Sequence, residues 1–578
     1  MEFKIEKLNF EEFEDYNLIR LPDLNEKEQK IVDPIVPPTS GLRIKLFDSI
    51  EPSGTYLLTN QKLFLYLRVA KAISIKFQED FIEENPKILI VSDCRPSSNY
   101  LVKLCAQLFA QDGFEIFFQK DGNGNSLMSS PYASASVALY EDINLALMIT
   151  ASHNPLDWNG LKVYMKYPIP ISGDLMKQIS SIALSLNEIK FKRKFKENRI
   201  GAEQKNNEYI KDLISKIIEI QALKNAKIVI WPYLGKARGI VNLYKEYGAN
   251  ITLIDETINP PNPIKELRRE KLIQTMESVD SKIAILLDAD RDRLAFFLKE
   301  DDGYNLYIPN ELYTAMHNIL AKEFSCKIIN IRTIPSDYRG DHTSILNILT
   351  GVGYKHLGVI LYFLFGVEVD QSKIDTGILY VENNDKFVKI NNSTPLKDTI
   401  SKIVKNKEII DENLIVAAWE ESGGHTFNIL KVTKKNNTEE YDFETPFPII
   451  ADKYPVPALI ILSELIVRGY RISDAIDWTI KGINRTIPAV DVEKIKIMKN
   501  FEKYDGKSLK LDNKEYQIRS LSDNNNKIDT YQLKSEDSIL YFRPSGTGPD
   551  VRFYIFGKRE THLEEIIKVM EFVKEKFS

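Results

Sequence analysis

Short apolar segments alternate with helix-like segments along most of this chain. Strand-like runs occupy residues Ile88–Ser92, Lys227–Ile230, Ile283–Leu287 and Lys327–Ile331, and each ends in a polar or proline-bearing loop. Short apolar strands separated by helices are typical of parallel or mixed sheets covered on both faces. Ligands of such sheets collect at the carboxyl ends of the strands. The sequence therefore predicts an α/β protein whose functional loops follow its strands.

The length of the chain predicts several domains, because 578 residues are too many for one hydrophobic core. We predict four: residues 1–205, 206–322, 323–482 and 483–578. The apolar helix-like stretch Ala458–Val467 lies near the end of the third, and a further helix ends the fourth.

Composition excludes several function classes. The 82 acidic and 77 basic residues give a net charge of −5 and are spread along the chain, so no basic footprint predicts nucleic acid or an acidic membrane as a partner. No apolar run approaches the roughly 18 residues that span a bilayer, and the N-terminus lacks the layout of a signal peptide. The three cysteines have no metal-like spacing. We therefore expect a cytoplasmic protein.

A polar loop follows the mostly apolar run Ile143–Ile149. Its sequence, Thr150–Pro155, places Ser152 beside His153, with Lys162 a few residues further on. Proline fixes the exit of the loop because its ring locks φ. Such a loop can hold a reactive serine, and it can equally be a polar turn. The absence of a Gly-x-Ser-x-Gly pattern disfavours an α/β-hydrolase nucleophile.

Three aspartates at alternate positions, Asp288, Asp290 and Asp292, follow the third strand-like run. Held together, they repel one another unless a cation binds, and a hard divalent ion such as magnesium suits a small site shared with a phosphate. The alternative is a solvated acidic turn balanced by Arg291 and Arg293. An EF-hand is excluded, because the sixth position of this loop is arginine rather than glycine.

Three further loops suit sugar and phosphate groups. In Arg543–Gly548, followed by Arg552, small residues free backbone N–H groups to wrap an anion, without the lysine of a P-loop. Glu420–His425 offers carboxylates and a hydroxyl to sugar hydroxyls, and Gly351–His356 could place a cation and an imidazole near a phosphate. Taken alone, each of these loops is also compatible with an ordinary glycine-bearing turn.

Together these segments resemble the α-D-phosphohexomutase superfamily, which contains the phosphoglucomutases and phosphomannomutases. In the family's order they match its phosphoserine, magnesium, specificity, sugar-binding and phosphate-binding loops: Thr150–Pro155, Asp288–Arg293, Gly353–His356, Glu420–Gly423 and Arg543–Thr547. Thr39–Arg43 matches the family's N-terminal active-site segment. The resemblance covers about residue 39 to the C-terminus.

The resemblance implies a fold and a reaction. The fold is four domains around a central cleft: three similar mixed-sheet α/β domains and a smaller C-terminal α+β domain. The reaction is that of an isomerase, an intramolecular phosphotransferase that interconverts hexose 1- and 6-phosphates, with glucose 1,6-bisphosphate as intermediate and activator.

The resemblance also implies roles for individual residues. Ser152 carries the phosphoryl group and, with Asp288, Asp290 and Asp292, holds Mg²⁺. Candidate proton acceptors are Arg43, Lys162 and His356. The implied substrate-binding residues are Arg293, Lys355, Glu420, Ser422, Arg543, Ser545, Gly546, Thr547 and Arg552.

Departures from the family pattern leave alternatives open. The phosphate loop continues as Gly548–Asp550 without the family's lysine, and His425 lies one place beyond the usual histidine. The stretch between Gly358 and Glu420 predicts an insertion in the third domain, and the segment before Thr39 is extra. The sugar could be glucose, mannose or a pentose. The chain could also be a glucose-1,6-bisphosphate synthase or an inactive parafusin-like protein, and a monomer or a homodimer.

Overall fold

The computed structural model describes the greater part of the chain. The described residues are 1–33, 42–50, 53–81, 85–120, 125–165, 174–367, 379–383, 386–389, 396–409, 412–435, 440–522, 528–545 and 549–577. Of the predicted site segments, Thr39, Ser40 and Gly41 near the start and Gly546 and Thr547 in the phosphate loop lie outside the described residues.

The first 200 residues form these elements: β1 (Glu2–Ile5), β2 (Glu11–Glu12), β3 (Tyr16–Arg20), α1 (Glu26–Val32), β4 (Leu42–Lys45), β5 (Phe47–Ile50), β6 (Thr55–Leu58), α2 (Asn60–Asp80), β7 (Lys87–Ser92), α3 (Ser98–Gln111), β8 (Glu115–Gln119), α4 (Ser130–Leu139), β9 (Leu145–Ile149), β10 (Trp158–Met165), α5 (Asp174–Ser185), β11 (Glu188–Lys192) and β12 (Glu197–Ile200).

The middle of the chain forms α6 (Ala202–Ser215), β13 (Lys227–Trp231), α7 (Arg238–Glu246), β14 (Asn250–Leu253), α8 (Arg269–Ser278), β15 (Ile283–Leu287), β16 (Leu294–Glu300), β17 (Gly303–Tyr307), α9 (Pro309–Glu323), β18 (Lys327–Thr333), β19 (Leu346–Thr350), α10 (Tyr354–Leu364), β20 (Leu379–Asn383), β21 (Lys386–Lys389), α11 (Leu396–Asn406), β22 (Asn413–Trp419), β23 (His425–Lys434), β24 (Tyr441–Glu444) and α12 (Val456–Val467).

The last hundred residues form β25 (Ile480–Pro488), α13 (Asp491–Phe501), β26 (Ser508–Leu511), β27 (Lys514–Ser522), β28 (Ile528–Lys534), β29 (Ile539–Pro544), β30 (Asp550–Lys558) and α14 (His562–Phe577). Their sheet has the order β25-β30-β29-β28-β27-β26 and is antiparallel throughout. Helices α13 and α14 contact each other and strands of this sheet, so the final unit is α+β.

Three larger sheets share one topology, a core of three parallel strands followed by two antiparallel ones. The orders are β8-β7-β9-β10-β4, β14-β13-β15-β16-β17 and β19-β18-β22-β23-β24. Strand β12 extends the first sheet, and the hairpin β20–β21 extends the third within the predicted insertion. The predicted mixed α/β fold is confirmed, while the domain boundaries stay predictions.

The serine, metal and sugar loops occupy one equivalent position in these three sheets. Each joins the last parallel strand to the first antiparallel strand: β9 to β10, β15 to β16, and β22 to β23. Because the carboxyl ends of parallel strands lie at one edge of a sheet, the fold itself predisposes these loops to carry a ligand site.

Residues 1–33 of the N-terminal extension pack against the rest of the first unit. Strand β1 pairs in parallel with β6, and β3 pairs antiparallel with β11. A single apolar core runs through the first three units: Tyr132, Tyr313 and Tyr454, one from each, belong to it and are buried. We infer that these three units form a continuous body. Among the described residues, no helix combines the length and apolar character needed to cross a membrane.

Gly160 shows how closely strands approach at the edge of the first sheet. A Cβ atom added there would lie 1.9 Å from the carbonyl oxygen of Leu42 and 2.8 Å from that of Thr150. These are backbone atoms of β4 and of the serine loop, so neither can move aside without shifting main chain. Glycine is required here for space, and it allows β4 to bring Arg43 beside the serine loop.

Candidate active site

Ser152 lies in the loop between β9 and β10 and is buried. Its φ is +54°, a left-handed conformation that costs a non-glycine residue on the order of 1 kcal/mol. Its N–H donates to Thr150 Oγ1 (2.8 Å), and its hydroxyl donates to Asp288 Oδ2 (3.2 Å). Ser152 Oγ also lies 3.3 Å from His153 Nδ1. The strained backbone therefore directs the hydroxyl at the carboxylates of the neighbouring sheet.

Arg95, which follows β7, holds the serine loop from behind. Its guanidinium is buried, pairs with Asp93 Oδ2 at 3.1 Å and donates to the carbonyl oxygens of Ser152 and Pro155. Asp93 in turn accepts a hydrogen bond from Thr150 Oγ1 (2.7 Å). An irregular buried loop has no strand partner for its carbonyl groups, and one arginine supplies several donors in their place.

Asp288, Asp290 and Asp292 form a compact acidic cluster. All three are buried, and one carboxylate oxygen from each lies within 4.8 Å of the others. Lys162 of β10 reaches across from the first sheet, with its Nζ 2.6 Å from Asp290 Oδ2 and 3.0 Å from Asp292 Oδ2. The backbone N–H of Arg293 donates to Asp288 Oδ1 (3.2 Å).

The charges in this cluster are unevenly distributed. Burial and the two neighbouring carboxylates raise the pKa of Asp288 well above its usual value. Burial also opposes ionisation of Asp290 and Asp292, but Lys162 outweighs it, and the pKa of each falls below its usual value. Burial alone would lower the pKa of Lys162, yet these carboxylates raise it well above normal. Lys162 is therefore a cation in this arrangement.

A cleft of about 1050 Å³ lies in front of the cluster. Predicted site residues from all four units line it: Arg43, Lys162, Asp292, Arg293, Glu420, Ser422, Arg543 and Arg552. Ser152, Asp288 and Asp290 are linked to this wall by the hydrogen bonds described above. Lys355 and His356 lie in the first turn of α10, directly after Gly353 and Tyr354, which line the cleft.

The sugar loop and the metal loop are joined by Lys453, which precedes α12. Its Nζ lies 2.7 Å from Glu420 Oε1 and 3.9 Å from Asp292 Oδ2. Glu420 Oε1 also accepts a hydrogen bond from the Ser422 hydroxyl (2.6 Å). Carboxylate, hydroxyl and ammonium groups thus meet at one point of the cleft, a combination suited to the hydroxyl groups of a sugar.

The C-terminal unit contributes two arginines to the cleft. Arg543 Nε lies 3.4 Å from Asp529 Oδ2, and Arg552 Nε lies 3.2 Å from Asp550 Oδ2. Ser545, next to the first of them, is buried, and its carbonyl oxygen accepts a hydrogen bond from Lys494 Nζ (3.1 Å). Guanidinium groups at this wall can bind a phosphate with directed, charge-assisted hydrogen bonds.

Comparisons with known proteins identify sequences and folds that are similar to this chain. Residues 55–190 match the family model described as phosphoglucomutase/phosphomannomutase, alpha/beta/alpha domain I. A probable phosphoribomutase of Schizosaccharomyces pombe is 23% identical over 84% of this chain and 82% of that protein. The chain is therefore similar to the phosphoglucomutase/phosphomannomutase family over residues 55–190, and to a probable phosphoribomutase over most of its length. A Staphylococcus haemolyticus phosphoglucomutase is also 23% identical, but the match covers only 39% of this chain and 43% of that protein, less than half of either.

A solved structure shows the same fold along nearly the whole chain. The open form of the Paramecium exocytosis-sensitive phosphoprotein pp63/parafusin, described as a phosphoglucomutase, superposes with a TM-score of 0.60. The match covers 97% of each chain at 15% sequence identity. At that identity the comparison supports the multidomain architecture and leaves the substrate open.

The acidic cluster fits the magnesium ion that the superfamily resemblance implies. Asp290 Oδ1 and Asp292 Oδ1 are buried and accept no hydrogen bond from the described residues. Leaving a buried acceptor unsatisfied is costly, and a set of closely spaced oxygen ligands is what a hard divalent cation binds. The two oxygens are therefore suited to a metal ion.

Two residues that shape this candidate site were missed by sequence reasoning. In the sequence, Arg95 is visible only as part of the polar strand end Asp93–Pro96. Its place two residues after Asp93, directly behind an apolar strand, was a usable signal of a local ion pair. Lys453 lies in a short polar stretch before an apolar helix, far in sequence from Glu420 and Asp292. No local pattern indicates that contact.

His425 belongs to the protein interior rather than to the cleft. It is buried at the start of β23, and its Nε2 lies 3.1 Å from Nε2 of the buried His317 in α9. The aromatic rings of Tyr313 and Phe427 pack against His425. Burial lowers the pKa of His317 to about 3 and that of His425 well below its usual value. Both imidazoles are therefore neutral.

This histidine pair predicts sensitivity to acid. Below pH 6.5 the histidines of the unfolded chain bind protons that the buried imidazoles of the folded chain cannot bind. The free energy of unfolding therefore falls as the pH drops from about 6.5 towards 3, and the pair does not change it above pH 6.5. Each histidine contributes a slope of about 1.4 kcal/mol per pH unit. Thermal unfolding midpoints between pH 7.5 and 5.5 should show this loss, and His317→Gln should reduce the slope.

The exposed His342 provides the matched control, since His342→Gln also removes one imidazole but no buried one. Its pH dependence should equal that of the wild type. If His317→Gln loses stability in acid as steeply as the wild type, the buried pair does not cause the acid sensitivity.

Proposed function

We propose that this chain interconverts hexose 1-phosphate and hexose 6-phosphate through a phosphoserine at Ser152 and a hexose 1,6-bisphosphate intermediate. The observation that carries the proposal is the hydrogen bond from Ser152 Oγ to Asp288, within an acidic cluster that faces a cleft lined with arginines. A phosphoryl carrier, a metal cluster and a phosphate-binding wall are the parts that phosphoryl transfer requires.

The acidic cluster and Lys162 would stabilise charge at the transferring group. Magnesium held by Ser152, Asp288, Asp290 and Asp292 would neutralise charge on the phosphoryl group and make serine a better leaving group. Lys162, held as a cation by Asp290 and Asp292, lies where it can attract the same phosphate oxygens. It is therefore better suited to binding phosphate than to accepting a proton.

Arg543 and Arg552 would bind the phosphate that does not react. Their aspartate partners lie at 3.2–3.4 Å, contacts that an incoming phosphate dianion can replace with shorter, bidentate ones. Such a wall would bind the phosphate group and not the sugar ring, so the ring would stay free to turn over between the two transfers. Each end of the bisphosphate would then present its phosphate to Ser152 in turn.

Glu420 and Ser422 would read ring hydroxyl groups that occupy equivalent positions in both orientations of the intermediate. Lys453 Nζ lies 2.7 Å from Glu420 Oε1, and this contact holds the carboxyl group in place as a hydrogen-bond acceptor. Because Lys453 Nζ also lies 3.9 Å from Asp292 Oδ2, it would couple the position of the sugar ring to the acidic cluster.

A phosphopentomutase is the second candidate. The alignment with the Schizosaccharomyces pombe probable phosphoribomutase covers most of both proteins, and that name is the observation in favour of a pentose phosphate. The chemistry at Ser152 would be the same, and only the ring read by Glu420 and Ser422 would differ.

A substrate panel tests the choice. With Mg²⁺ and catalytic glucose 1,6-bisphosphate, we expect kcat/KM for glucose 1-phosphate to exceed that for ribose 1-phosphate by about 10-fold or more, because hydroxyl-binding sites discriminate strongly. Mannose 1-phosphate is the third substrate. Ser422→Ala should lower kcat/KM for glucose 1-phosphate more than that for ribose 1-phosphate.

The outcomes of the panel separate the candidates. A clear preference for ribose 1-phosphate would favour the phosphopentomutase. Turnover of none of the three sugar phosphates would contradict both. The expected cytoplasmic location and the monomeric or homodimeric state stay predictions.

A further inference from the structure

The first strand of the chain lies against the backs of both catalytic loops. A small apolar cluster contains Leu156 of the serine loop, Leu234 of the loop after β13, and Ala289, which lies between Asp288 and Asp290. The partly buried ring of Phe3, from β1, packs against this cluster. Phe3, like the partly buried Cys94, thus contacts this apolar plug between the serine loop and the metal loop.

Phe3 is itself held firmly in place. Its ring stacks on Tyr56 and meets Phe47 edge to face, with both ring centroids 5.1 Å away. Strand β1 pairs with β6, with Phe3 opposite Tyr56. The same small sheet is tied to the serine loop, because the backbone N–H groups of Leu46 and Phe47 both donate to the carbonyl oxygen of Asp157.

A second connection runs beside the first. The Asn259 side chain donates to Met1 Sδ (3.5 Å) and accepts a hydrogen bond from the backbone N–H of Leu156 (2.9 Å). On the metal-loop side, Arg291 donates to the carbonyl oxygens of Ala289 and Leu234. The apolar plug is therefore continuous with the backbone of both loops.

We propose that Phe3 is a positioning residue: it braces the serine loop against the metal loop from the side opposite the cleft, and so holds Ser152 Oγ in register with Asp288. The packing is dense and apolar, so a void at Phe3 would let Leu156 and Ala289 relax independently. Because Ser152 has a strained backbone, its position depends on such surrounding contacts. The kinetic part of this inference rests on the proposed function; the structural part does not.

Phe3→Ala tests the inference in the full chain. We expect amide exchange of residues 150–157 and 288–293 to become about 10-fold faster or more. The Mg²⁺ dissociation constant, measured by calorimetry without substrate, should rise about 10-fold. With sugar phosphate, kcat should fall about 10- to 100-fold, while KM stays within about twofold. Phe3→Leu should restore most of each value.

Phe10→Ala is the matched control. Phe10 is another partly buried phenylalanine of the same segment, but its ring packs on Phe191 of β11, 5.6 Å away. The Phe10→Ala variant should have a lower melting temperature, with amide exchange in the two loops and Mg²⁺ affinity unchanged. If Phe3→Ala does not fold, Phe3→Val and Phe3→Leu replace it, with Val expected to have the larger effect.

The outcomes are distinct. If Phe3→Ala keeps the loop exchange rates and the Mg²⁺ affinity of the wild type, the positioning role is overturned. It is also overturned if Phe10→Ala changes both quantities as much as Phe3→Ala does. If the wild-type chain turns over no sugar phosphate, the proposed function fails, and exchange and Mg²⁺ binding still decide the role of Phe3.

Discussion

Replacing Ser152 with alanine is expected to lower kcat for the proposed mutase reaction by at least about 1000-fold, because the substitution removes the hydroxyl proposed to carry the phosphoryl group. The substitution removes one hydroxyl from a buried loop whose backbone is held mainly by Arg95 and Thr150. The fold should therefore persist, and the loss should fall on kcat.

Intact mass spectrometry with and without glucose 1,6-bisphosphate checks the same point directly. The wild type should gain one phosphoryl group that maps to Ser152, and Ser152→Ala should gain none. Ser136→Ala is the control, since Ser136 is also buried but lies in α4, where its hydroxyl donates to the carbonyl oxygen of Tyr132 (2.7 Å) and accepts from Asn206 Nδ2 (3.2 Å). Unchanged activity in Ser152→Ala would rule out the phosphoserine mechanism.

Asp292→Asn is expected to reduce kcat by about 100-fold or more and to weaken Mg²⁺ binding by a similar factor. Asp292 is the point where three elements meet: its carboxylate contacts Lys162 of the first unit and Lys453 before α12, and its Oδ1 accepts no hydrogen bond from described residues. Neutralising it removes a metal ligand and leaves two lysines facing each other with less compensation.

Calorimetric titration with Mg²⁺ and the Mg²⁺ dependence of kcat measure these effects separately. Asp302→Asn provides the control, because Asp302 lies in the exposed turn between β16 and β17 of the same unit, where it accepts a hydrogen bond from Asn305 (3.1 Å). Equal Mg²⁺ affinity in Asp292→Asn and the wild type would remove Asp292 from the metal site. Chelation with EDTA should abolish activity in the wild type and the control alike.

Local sequence patterns predicted the elements that carry the site. The strand Ile283–Leu287 has the predicted bounds, and the helix predicted at Ala458–Val467 extends two residues further, from Val456. Such segments are predictable because apolar periodicity and flanking loop residues are properties of neighbours in sequence. The positions of the motif residues could then be predicted, because each loop begins directly where its strand ends.

Contacts between distant residues were beyond prediction. The bond between Lys453 and Glu420 depends on how α12 packs behind the third sheet, and the pairing of His425 with His317 depends on where α9 crosses it. The left-handed backbone of Ser152 was hidden as well, because the same six residues also suit an unstrained turn. These features arise from tertiary packing, which no local window of sequence contains.

The equivalent placement of the serine, metal and sugar loops has a consequence for how substrate preference can change. Residues Glu420–Gly424 connect β22 to β23 on a sheet separate from those that bear Ser152 and Asp288–Asp292. A different sugar loop could therefore be carried by the third sheet while Ser152 and the three aspartates keep their places on the other two, with Lys453 as the contact that such a change would have to preserve. Divergence within such a scaffold can exchange the sugar and preserve the chemistry.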